Sequence, residues 1–112
     1  MTYKYNALCV KVIDGDTIDA FVDLGFDLWI KKRIRFFNIE APETRTKDLE
    51  EKQRGISAKE FLQIILEKNN YEFILLSHGV GKYGRCLGEL FIDDISVNKL
   101  LIKEGHATKY KE

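Results

Sequence analysis

Residues 7–37 read ALCVKVIDGDTIDAFVDLGFDLWIKKRIRFF. This stretch constrains the fold more than any other. ALCVKVI (7–13) is a strand-like run, and TIDAFVDL (17–24) alternates apolar and polar residues with period two. Asp14-Gly15-Asp16 between them is a tight-turn signal. LWIKKRIRFF (28–37) predicts a third strand, with Leu28, Ile30, Ile34 and Phe36 on one face and Arg33 and Arg35 on the other. Strands joined by turns this short must run antiparallel, so the first third of the chain is a meander.

The remainder fills out the element order. Pro42, the chain's single proline, ends the third strand and opens TRTKDLEEKQRG, which reads as a charged, solvated loop. SAKEFLQIILEKNN (57–70) predicts a helix. Ser57 and Glu60 offer a capping box, and Ala58, Phe61, Leu62 and Ile65 form its apolar stripe. YEFILL (71–76) and RCLGELFID (85–93) are the fourth and fifth strands, with glycine-rich SHGVGKYG between them. SVNKLLIKE (96–104) is a short helix closed by Gly105. Three strands, helix, two strands, helix is the order of an α+β, mainly β, five-stranded OB-type barrel with two helices. The 112 residues suit a single domain spanning 1–112.

Composition excludes several classes. Hydrophobic residues make up 45% and charged residues 32%, a balance that supports a packed core rather than disorder. Lys plus Arg equals Asp plus Glu at 18 each, so any anion-binding site must be a local cluster. Cys9 and Cys86 are too few for a disulfide framework and lack zinc-ligand spacing; buried free thiols are expected. The N-terminal segment has no apolar signal core and no run has membrane-spanning length. The expectation is an intracellular protein with no membrane partner, or a secreted one if a signal has been removed.

Motifs taken singly are bland. Gly79-x-Gly81-x-x-Gly84 matches a dinucleotide fingerprint in letters, but a strand-like run follows it where a helix is needed. Asp14-x-Asp16 opens like a calcium loop, yet Asp19 occupies the position that needs glycine. His78 and His106 lack spaced ligand partners and read as structural or surface residues. The combination says more. Asp16, Glu40 and Glu43 are hard oxygen donors, and Arg35 and Arg85 are forked cations suited to phosphate. Together they are the parts for phosphodiester hydrolysis.

VIDGDTI (12–18), RIRFFNIEAPET (33–44), KYGR (82–85) and VNKLLIKEGHA (97–107) resemble, in order, the staphylococcal-nuclease-like (thermonuclease) family. The resemblance implies an OB barrel and Ca²⁺-dependent cleavage of DNA or RNA that leaves 3′-phosphate ends, with Mg²⁺ or Mn²⁺ as lesser alternatives. It implies metal ligation by Asp16, Glu40 and the Ala41 carbonyl, with Asp14 in the outer shell. Glu43, reaching the metal through water, would be the general base. Arg35 and Arg85 would grip the scissile phosphate, and Lys82, Tyr83 and Tyr110 would contact the nucleotide. Glu40 departs from the family's usual aspartate by one methylene. The chain ends about where the family's final helix would begin, so an uncovered part of the barrel and a homodimer that covers it are expected. The alternative is a noncatalytic OB module that binds nucleic acid or protein; a nuclease of narrow substrate range is a third.

Overall fold

A computed structural model describes residues 3–110. The strands are β1 (Tyr3–Asp14), β2 (Thr17–Asp23), β3 (Trp29–Phe36), β4 (Ile39–Glu40), β5 (Glu72–Val80), β6 (Cys86–Ile92), β7 (Ile95–Ser96) and β8 (Thr108–Lys109). The helices are α1 (Leu49–Lys68) and α2 (Val97–Lys103), and a 3₁₀ turn spans Lys82–Gly84. The main sheet runs β3-β2-β1-β5-β6-β7, and β3 also pairs with β6, so the five long strands close into a barrel.

Closure follows from β1. It pairs with β2 from Ala7↔Val22 to Asp14↔Thr17 and with β5 from Tyr3↔Ser77 to Leu8↔Glu72. A register shift between Cys9 and Lys11 bends the strand so that its two halves serve both neighbours. The last gap is closed by parallel pairing of Ile34, Arg35 and Phe36 with Cys86, Leu87 and Gly88. Ile18, Ile34, Phe36 and Leu90 fill the barrel, and Leu62 and Leu66 of α1 with Val97 and Leu101 of α2 seal it. The architecture is the mainly β OB-type barrel with two helices that the element order predicts.

Several local expectations are corrected. The first helix begins at Leu49, eight residues before Ser57, and absorbs most of the segment read as loop. Asp48 is its cap, accepting the N–H groups of Glu50 and Glu51 at 3.0 and 3.3 Å. Acids in the first turn suit the helix dipole. This turn looked like a loop because it packs almost no apolar residue. Ser57 is an exposed mid-helix residue, so the capping box is not formed. The buried stripe is Gly55, Ala58, Leu62 and Leu66; Phe61 and Ile65 lie half-buried at its margin. Leu28 and Ile30 are exposed, and the apolar face of β3 meets the core only at Ile34 and Phe36. Cys9 is buried, and burial pushes its thiol up to about 11. Cys86 is only half-buried. Among the described residues no helix is long and apolar enough to cross a membrane.

Candidate active site

The acidic residues come from two segments distant in sequence. The end of β1 and the turn after it supply Asp14 and Asp16; β4 and the loop after it supply Glu40, Ala41 and Glu43. Two hydrogen bonds join them. The Ala41 N–H donates to Asp16 Oδ2 at 2.8 Å, and the Thr44 hydroxyl donates to Asp14 Oδ1 at 2.7 Å. Asp16 is buried, and its other oxygen accepts the Thr17 hydroxyl at 2.8 Å. Arg35 Nη1 stands 3.3 Å from Asp16 Oδ2. One buried carboxylate therefore ties the acidic loop to the arginine of β3.

Helix α1 fixes both segments from behind. A Cβ on Gly15 would stand 2.7 Å from Ala58 Cβ, so the turn rests directly on the helix. A Cβ on Gly55 would stand 2.5 Å from the Glu43 carbonyl oxygen and 2.8 Å from that of Pro42. Only a missing side chain lets the loop approach so closely. Glu51, one turn earlier, accepts the Glu43 N–H at 3.3 Å. The Glu43 carboxylate itself faces solvent. Gly55 and Ala58 are positioning residues that sequence reasoning missed. The signal was a glycine and an alanine three apart beside the acidic loop.

The sequence-predicted residues divide between two adjoining cavities. Glu40, Ala41 and Glu43 line one of about 330 Å³, with Arg54, His106 and Thr108. Arg35, Lys82, Arg85 and Tyr110 line another of about 370 Å³, with Phe37 and Leu87. Asp16 lies between the two, bonded to a residue of each. The second wall exists because β8 pairs with β4, Glu40 opposite Thr108. That pairing and the Tyr110 N–H bond to the Asn38 carbonyl place the Tyr110 ring 5.9 Å from the Arg35 guanidinium. Tyr83 stands apart, 92% exposed with φ of 63°, its ring 5.7 Å from Arg85. The Gly79–Gly84 segment feeds a strand rather than a helix, so it is no dinucleotide loop.

His106 belongs to the site region, not to a plain surface: it lines the acidic cavity with its ring 4.5 Å from Phe61. His78 lies elsewhere, stacked on Phe37 at 4.0 Å. The donors near Asp16 are hard oxygens and suit a cation such as Ca²⁺. No three acidic, histidine or cysteine side chains gather at ligating distance among the described residues. A cation ligated by Asp16 would compete with Arg35 for its Oδ2.

The family model described as staphylococcal nuclease homologue matches residues 33–112. The chain is 32% identical over 114 residues to endonuclease YhcR of Bacillus subtilis (strain 168), covering 96% of this chain and 9% of that protein. It is 30% identical over 109 residues to an uncharacterized protein of Bacillus anthracis, covering 94% of this chain and 46% of the other. Protein ParB of Escherichia coli is 28% identical over 113 residues, at 91% and 55% coverage. The chain thus spans 9%, 46% and 55% of the lengths of these three relatives.

Proposed function

The chain belongs to the staphylococcal nuclease homologue family, and from that premise we propose that it hydrolyses phosphodiester bonds of DNA or RNA with little sequence preference. The observation that carries the reading is Asp16. Its one carboxylate holds the acidic loop and Arg35 together, so base and phosphate grip share a common anchor.

The chemistry assigns each side chain one task. The phosphate seats against Arg35 and Arg85, whose guanidinium forks match its oxygens and stabilise the charge that grows in the transition state. Glu43, exposed and held through its backbone by Glu51, takes the proton from the attacking water. The water oxygen bonds to phosphorus and the 5′-oxygen leaves, taking a proton from solvent and giving a 3′-phosphate end. Lys82 and Tyr83 contact a flanking phosphate, and Tyr110 packs beside the sugar. Asp16, Glu40 and the Ala41 carbonyl would hold Ca²⁺, which when bound supplies further positive charge at the phosphate.

The test is digestion of single-stranded DNA with Ca²⁺, with chelator, and with Glu43→Gln. The wild type with Ca²⁺ should cut, chelator should abolish cutting, and Glu43→Gln should lower kcat by about 10²-fold or more. Equal activity in all three sinks the reading. So does tight, Ca²⁺-independent oligonucleotide binding without cleavage, which marks a binding module instead.

A further inference from the structure

The face of β3 turned away from the core carries Trp29, Lys31, Arg33 and Arg35 at alternate positions. Alternate residues of a strand stand about 6.6 Å apart, so this row is about 20 Å long and ends at the site. The neighbouring strands widen it. Phe21 lies opposite Lys31, and Leu8 lies opposite Phe21. Lys11 and Arg33 flank Asp19 from both sides, and Arg33 grips it at 2.8 and 3.1 Å.

Lys11, Lys31 and Arg33 surround Asp19, three cations to one carboxylate at the end of the face nearer Arg35, while Asp23 opposite Trp29 and Glu72 opposite Leu8 stand at the far end. Two aromatic rings stand among them in solvent, Phe21 at 39% and Trp29 at 50% exposure. Trp29 also borders a cavity of about 490 Å³ with Asn6, Leu8 and Ile74. Asp23, Glu72 and Asp93 on that cavity's wall repel phosphate but not a base.

We propose that this outer face of the meander is a track for single-stranded nucleic acid, holding the length of substrate that extends away from the bond cut beside Arg35. It rests on the nuclease reading for its active end. Cations spaced along an extended strand take successive phosphates, and Phe21 and Trp29 offer stacking platforms for bases of any sequence. Continuity with Arg35 favours this occupant over the two rivals, an anionic lipid surface and a second copy of the chain. The length suits a site at the short end of the roughly 4–16 nucleotides held by OB barrels.

Trp29 is the chain's single tryptophan, so its fluorescence reports on the track directly. An oligothymidylate of about twelve nucleotides, added in chelator, should quench it. In Lys31→Gln the slope of log affinity against log salt should shrink by about 0.7. With Ca²⁺, the ratio of kcat/KM for the long oligonucleotide to that for a dinucleotide should fall about tenfold in Lys31→Gln and in Trp29→Ala. Absent quenching with an unchanged ratio overturns the track. Quenching by phosphatidylserine vesicles but not by oligonucleotide overturns it in favour of a membrane. A dimer in sedimentation that Trp29→Ala dissolves overturns it in favour of self-association. The two readings fail separately. Quenching without any cleavage removes the nuclease and keeps the track, while normal dinucleotide cleavage without quenching does the reverse.

Discussion

Asp16 does more than its position in a two-residue turn announces. Buried, its carboxylate meets one N–H, one hydroxyl and one guanidinium and holds all three in place. Asp19, three residues on, shows the same logic at the surface. The Arg33 guanidinium bonded to it holds its carboxyl below the usual aspartate range, with Lys31 and Lys11 adding to the effect. A depressed folded pKa stabilises the protein above the unfolded value of about 3.9 and loses that contribution as pH falls through the folded value. Arg33 is half-exposed, so the contribution is below about 1 kcal/mol. The melting-temperature gap between wild type and Asp19→Asn should therefore be present at neutral pH and close below about pH 4. A gap that persists unchanged at acid extremes contradicts the pairing.

At the scale of elements, α1 is a bracket rather than a lid. Its early turns touch the acidic loop through Gly55 and Glu51, its middle touches the β1–β2 turn through Ala58, and its later half seals the core. In an ordinary helix Gly→Ala adds about 1 kcal/mol of stability. Here the new Cβ meets backbone oxygens that cannot swing aside. Gly55→Ala should destabilise by about 1–3 kcal/mol. It should also lower kcat on DNA by about tenfold or more, because the displaced segment carries Glu43. Thermal melts and kcat measured together check this; a higher melting temperature with full activity refutes the bracket. The early turns escaped the sequence reading because a charged helix end held by a cap and a glycine contact shows no apolar period. The helix's later half, with its leucines, was plain.

For the whole molecule, Asn98 is the joint between the barrel and α2. Buried to 3% exposure, its amide donates to the Phe37 and Gly88 carbonyls at 3.1 Å each and accepts the Leu90 N–H at 3.1 Å. Asn98→Ala takes the Leu90 N–H's partner at a buried site and a donor from each carbonyl, though the Gly88 carbonyl keeps the Phe37 N–H at 2.8 Å; the loss of the buried N–H partner alone costs about 1–3 kcal/mol. Chemical denaturation should register a drop in that range or above, and a neutral result removes Asn98 from this role.

Much of this was legible in residue order alone. Periodicity and short turns settled the meander, the later strands and the second helix, because side-chain alternation and turn chemistry are local properties. The motif pieces named the acids and arginines of the candidate site. What sequence did not contain was their mutual placement. The Asp16 bond to Ala41 spans 25 positions, and the β4–β8 pairing that stands Tyr110 over Arg35 spans still more. Both exist only once β1 is shared between neighbours and β3 meets β6. The spread of Trp29, Lys31, Arg33 and Arg35 along one outward face also needed the barrel. Sequence sets which residues alternate, but only closure of the sheet decides which side meets the core and which meets the solvent.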